Sequence, residues 1–136
     1  MSTTYAGGCA CGAIRYECSA DPVMSVNCHC RACQHATGSA YSTDMVVPMT
    51  GWKVLKGDAK YFDKKADSGN TVSRGFCGDC GSPLFVKESA APDIIVITAG
   101  SLDDPSRYSP TGDLWISSAQ PWDHMNPELE KFETQP

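Results

Sequence analysis

Positive charge is scarce in this 136-residue chain: eleven lysines and arginines, four of them arginine, face sixteen acidic residues, for a formal charge of −5. A protein that tracks successive phosphates needs a basic stripe, so a nucleic-acid partner is not expected. Long apolar runs are missing too. None approaches the roughly eighteen residues of a membrane span, and residues 1–5 carry neither the basic cluster nor the apolar stretch that opens a secretory signal. No membrane partner is expected, and a cytoplasmic location is. Internal repeats and dividing linkers are absent, and the length suits a single domain over 1–136. Helix signal is thin as well.

What does appear is the pattern of short strands. In 13–18, Ile14, Tyr16 and Cys18 alternate with Arg15 and Glu17, giving one apolar and one charged face. Further strands are expected over 23–27, 40–47, 52–55, 60–62, 72–76, 83–86, 94–99 and 114–117, each bounded by Gly, Pro, Asp, Asn or Ser. Lys56-Gly57-Asp58 reads as a hairpin turn between two of them. One helix is expected over 30–37, closed by Gly38 at its C-cap, with a further turn or two at 127–132. Segments 64–69 and 88–92 read as exposed loops, and 133–136 as a frayed end. The expected fold is mainly β.

Against this background the cysteines stand out: eight, at 9, 11, 18, 28, 30, 33, 77 and 80. Without a secretory signal, and with length enough for a core, clustered thiols point to metal ligands rather than to a disulfide framework. Cys77-Gly-Asp-Cys80-Gly81 is a metal knuckle, in which two thiolates three apart on a glycine-rich turn reach one ion. A structural zinc wants four ligands, so a second pair is needed. Cys9-Ala-Cys11 supplies it: the trio Cys28, Cys30 and Cys33 would bring the total to five, whereas Cys9 and Cys11 bring it to four. The expectation is a closed structural site of Cys9, Cys11, Cys77 and Cys80.

The trio is then left with three ligands and room for a fourth, the pattern of a catalytic zinc at which water or substrate is polarised. A closed alternative would complete the site with His29, His35 or Cys18. His29, between two ligands in an extended segment, is expected to point away from the ion. Cys18, on the strand face of Ile14 and Tyr16, reads as a buried inert thiol. With seven thiolates and two zinc ions the charge becomes about −8, so an anionic substrate must be held by locally placed cations. Arg31 lies inside the trio, while Arg15, Arg74 and Arg107 read as solvated surface charges.

The segments GGCACGAIRYEC, CHCRACQHATGSAYS, LKGDAKYF, RGFCGDCGSPLF, IIVITAGSLDD and QPWD together resemble the glutathione-dependent formaldehyde-activating enzyme family, which also includes the centromere protein V domain. The resemblance covers a core of about 7–122. It implies a zinc-stapled β-tent of small antiparallel sheets with at most one or two short helices. It also implies two Zn2+ per chain, one structural on Cys9, Cys11, Cys77 and Cys80, and one catalytic on Cys28, Cys30 and Cys33. The implied activity is that of a carbon-sulfur lyase joining formaldehyde to glutathione or another small thiol. These are the expected partners, and no oligomeric state is implied. The open zinc would lower the thiol's pKa, and His29 or His35 could deliver the proton, although a surface position is the default for each. Gln34, Ser39 and Tyr41 follow the trio closely enough to line its pocket. Asp113 stands where many relatives carry histidine, and at the pocket rim its charge would disfavour an anionic peptide thiol. Two other readings compete: a non-catalytic zinc module that binds a protein, and a methionine sulfoxide reductase using Cys18.

Overall fold

The computed structural model describes residues 4–136. The chain is mainly β, as expected, with one α-helix among the described residues. A three-stranded sheet is formed by β1 (Tyr5–Gly8), β2 (Arg15–Cys18) and β5 (Trp52–Lys56), in the order β1-β2-β5. The second sheet contains β3 (Met24–Cys28), β4 (Ser42–Pro48), β6 (Lys60–Lys65), β7 (Thr71–Phe76), β8 (Pro83–Glu88), β9 (Ile94–Thr98), β10 (Gly112–Leu114) and β11 (Glu130–Lys131). Its order is β11-β10-β3-β4-β9-β8-β7-β6. Pairing is antiparallel throughout except at β10, which runs parallel to both β3 and β11.

The alternation read in β2 orders the core. Tyr16 and Cys18 are fully buried, and with Ile14 they meet Met45, Val47, Phe85, Ile95 and Ile97 from the larger sheet. Tyr16 stacks on Trp52 at 4.8 Å between ring centroids, and Trp52 packs edge-on against Phe85 at 4.9 Å. Burial of these large apolar surfaces is the main force holding the two sheets together. The opposite face of the larger sheet carries a smaller cluster of Val26, Cys28 and Leu114, against which Cys33 of the helix α1 (Arg31–Thr37) packs.

Several local expectations need correction. Lys56-Gly57-Asp58 is not a hairpin: β5 pairs with β2 and β6 with β7, so the chain changes sheets there. Gly57 is required at this point, since it sits at φ +79° and a Cβ would lie 2.2 Å from the Ala13 carbonyl oxygen. Residues 114–117 are only partly strand, because Trp115 turns into the left-handed region (φ 58°) and a 3-10 turn follows at Ile116–Ser118. No helix forms at 127–132, where Glu130 and Lys131 instead extend the sheet beside β10. The segment 133–136 is tied down rather than frayed at its start: the Trp115 and Ser117 amides donate to the Thr134 and Glu133 carbonyls at 2.9 and 3.2 Å. The loop expected at 64–69 is shortened by β6, which runs to Lys65. Among the described residues no helix is long and apolar enough to cross a membrane.

Candidate metal centres

Two groups of cysteines converge, divided as ligand counting expects. Cys9, Cys11, Cys77 and Cys80 place their sulfurs within 4.8 Å of one another. Sulfurs at 2.3 Å from a central ion stand about 3.8 Å apart along a tetrahedral edge, and Cys9–Cys11 and Cys11–Cys77 measure 3.7 and 3.8 Å. The donor set fits a soft tetrahedral cation. Backbone turns shape it: Gly12 N–H donates to the Cys9 carbonyl at 3.1 Å, and Gly81 N–H to that of Cys77 at 2.8 Å. Gly81 follows the second knuckle cysteine at φ +79°. Cys9 and Cys11 therefore meet through a tight turn rather than along an extended segment. Hydrogen bonds from the Ser82 hydroxyl and amide hold the Cys80 thiol down to about 5, which favours the thiolate that binds metal.

The second group is Cys28, Cys30 and Cys33, with all three sulfurs again within 4.8 Å. Cys28 ends β3. Cys30 is the N-cap of α1, its sulfur accepting the Cys33 amide at 3.3 Å, and Cys33 lies in the first turn. The helix stops at Gly38, φ +67°, whose amide returns to the Gln34 carbonyl at 2.8 Å. Hydrogen bonds from Cys28 and Cys33 hold the Cys30 thiol down to about 2, while hydrogen bonds with Cys30 and Cys33, and then burial, push Cys28 well above its ordinary value. One negative charge is thus shared among three sulfurs, and a divalent cation would let all three ionise.

The residues that could close this site are engaged elsewhere. His29 is fully buried rather than at the surface. Its Nδ1 lies 2.5 Å from Asp123 Oδ2 and its Nε2 2.8 Å from Asp113 Oδ1. His35 is exposed on α1, beside Arg31 at 3.4 Å. Cys18 is fully buried, its sulfur facing the Ala20 carbonyl at 3.6 Å; burial pushes its thiol up, as expected of an inert cysteine. Asp113 is not a bare charge at a pocket rim. It is buried between His29 and Lys131, the latter at 2.8 Å. Burial opposes its charge, yet hydrogen bonds from Lys131 and His29 hold the carboxyl below its ordinary value.

Gln34 proves to be a brace rather than a pocket wall. Buried, it donates to the carbonyls of His29 and Ser118 at 2.8 and 3.0 Å. Tyr41 packs on the His29 ring at 5.0 Å, and Ser39 is exposed. Arg74 is half-buried, with Nη2 4.0 Å from Cys33 Sγ, so the solvated reading of this residue does not hold.

Sequence reasoning missed Ser42 and Asp44. β4 places both on the trio's side of the sheet, opposite Cys28 and Val26. The Ser42 hydroxyl is buried without a hydrogen-bond partner among the described residues, across the strand pair from Cys28. Burial, and then the charge at Cys33, push the Asp44 carboxyl up to about 7. The one available signal was an Asp in the middle of an apolar strand, which a single sequence does not separate from a solvent-facing residue.

Known proteins give the same picture. A solved Rhodobacter sphaeroides protein shares the fold at 14% identity with a TM-score of 0.60, covering 93% of this chain and 98% of that one. A family model described as glutathione-dependent formaldehyde-activating enzyme matches residues 4–118. With that match spanning most of the sequence and both cysteine groups, the chain belongs to the glutathione-dependent formaldehyde-activating enzyme family.

Proposed function

We propose that the protein is a zinc-dependent enzyme of carbon-sulfur lyase type, acting on the adduct of formaldehyde and a small thiol, such as S-hydroxymethylglutathione, in a reducing cytoplasmic compartment. The observation that carries this reading is the trio itself. Three sulfurs converge, and His29 and Cys18, two chain groups able to supply a fourth ligand, are held by other partners. In this reading Cys9, Cys11, Cys77 and Cys80 hold a structural Zn2+, and Cys28, Cys30 and Cys33 hold a catalytic one. When bound at the trio, zinc supplies Lewis acidity that lowers the pKa of a substrate thiol.

In the adduct-forming direction the thiol sulfur bonds to the aldehyde carbon and the carbonyl π bond breaks. The thiol proton ends on the new hydroxyl oxygen. The lyase direction reverses each change, and neither needs an oxidant. Of the two histidines expected to deliver the proton, His29 has both ring nitrogens facing buried carboxylates and His35 is exposed on α1, so this reading gives the role to Asp44. Asp44 near 7 can both give and take a proton at neutral pH, from the same face of β4 as the Ser42 hydroxyl. Val26, Leu114, Trp115 and Phe132 pack around the trio and limit water around its sulfurs.

The test is adduct formation from formaldehyde and glutathione, or another small thiol, followed by NMR with zinc-loaded protein. The reading expects acceleration over the uncatalysed reaction and its loss in Cys30→Ser with the fold retained. Equal rates with and without wild-type protein, across a panel of thiols, would contradict it.

A further inference from the structure

Three of the four guanidinium groups are already committed. Arg15 pairs with both oxygens of Asp103 at 2.8 and 2.5 Å. Arg107 donates to the Thr4 carbonyl at 2.8 Å and lies 3.8 Å above the Tyr5 ring. Arg31 bonds along its own helix turn to Gln34 and His35. Arg74 differs from all three. It shares a cross-sheet row with Val86, Val96 and Val46, on the face of β4 that carries Ser42 and Asp44. Half-buried, it ends 4.0 Å from Cys33 Sγ, and among the described residues no carboxylate lies within 4.0 Å of it.

A guanidinium presents five N–H donors in a rigid fork, and a single long contact to sulfur leaves most of that fork unspent. Asp44 senses the Arg74 charge from the same face of the sheet but makes no ion pair with it within 4.0 Å, so it is a partial counterion at best. Three thiolates balanced by one divalent cation would leave the trio negative, and Arg74 is the cation whose charge reaches Cys30. An anionic substrate approaching the trio therefore meets the Arg74 guanidinium beside the sulfurs.

We infer that Arg74 is the specificity-determining residue of the trio site, binding a carboxylate of the thiol substrate, and that the preferred class is a small thiol with its carboxylate a few bonds from the sulfur. This rests on the trio being the thiol site proposed above. The short spacing follows from contact between the guanidinium and Cys33 itself: anion and sulfur positions adjoin. A thiol whose carboxylate sits at the far end of a peptide would not bridge them.

The test is calorimetric titration of zinc-loaded wild type, Arg74→Met and Arg74→Lys with mercaptopropionate and with its neutral amide, alongside metal analysis of each protein. A charge-assisted fork on a carboxylate gives a preference of about tenfold or more for the acid. That preference is expected in wild type, reduced in Arg74→Lys and gone in Arg74→Met, with amide affinity and zinc content unchanged throughout. Equal binding of acid and amide by wild type overturns the inference and leaves the thiol site standing. So does an Arg74→Met protein that keeps the preference. If Arg74→Met loses one zinc, the residue holds the cluster rather than the substrate, and the inference fails. If neither thiol binds wild type, the proposed thiol site fails, and the inference goes with it.

Discussion

Replacing His29 by leucine removes a ring that separates two buried carboxylates. Asp113 and Asp123 are each 1% exposed at the side chain and His29 is 0% exposed, so neither carboxylate can turn to water when the imidazole is gone. Asp123 Oδ1 is buried with no hydrogen-bond partner among the described residues, which leaves that charge dependent on His29; Asp113 keeps Lys131. Two hydrogen bonds to buried carboxylates, each worth about 1.5–3 kcal/mol, are lost, and the carboxylate oxygens they served stay buried. The expected destabilisation of His29→Leu is therefore about 3–5 kcal/mol, or a fall in Tm of roughly 10–20 °C for a domain of this size. Urea unfolding at fixed free zinc measures it, since metal binding otherwise moves the transition. Adding Asp113→Asn and Asp123→Asn should recover at least half of the loss by removing the stranded charges. A single variant within 1 kcal/mol of wild type, or a triple variant no more stable than the single, would refute this reasoning.

Other variants probe other links. Cys30→Ser should lose one of two bound zinc ions while keeping its fold, whereas Cys77→Ser should unfold at lower temperature, because Cys77 is buried beside the main core; metal analysis and circular dichroism separate the two. Gly57→Ala should cost at least about 2 kcal/mol, from the left-handed φ and the Ala13 carbonyl in the way of a Cβ. Gly69→Ala, at φ +90° with nothing within 4 Å, should cost less, and matched thermal melts compare them. Asp44 has its folded pKa raised to about 7, so the stability linked to it is full below the unfolded value and is lost as pH rises through 7. Wild type should lose on the order of a few kcal/mol more than Asp44→Asn between pH 5 and pH 8, and equal slopes would count against a buried, charge-crowded carboxyl.

Much of the fold could be read where a local pattern coincides with a buried face. The alternation in β2, the strand at Ile94–Thr98 and the single helix ending at Gly38 are all present, and so is the division of seven cysteines into four and three. The misreadings arise where partners distant in sequence decide. β5 looks like half of a hairpin with β6 but pairs with β2, because Trp52 stacks on Tyr16 in the core. Nothing local marks Glu130–Lys131 as a strand; parallel pairing with β10 makes it one. Among the site residues, the cysteines announce themselves by spacing. Arg74 and Asp123 act through neighbours 41 and 94 residues away, so no short window contains their chemistry.

The central claim is a second zinc gripped by three sulfurs of the chain. Metal analysis combined with zinc-edge X-ray absorption on protein purified without added thiol tests it most directly. The account predicts two ions per chain, with protein sulfurs at about 2.3 Å. Seven sulfurs are shared between the two ions, and a lighter donor such as water completes the second. One ion per chain, or a histidine or eighth sulfur of the chain completing the trio, would contradict it.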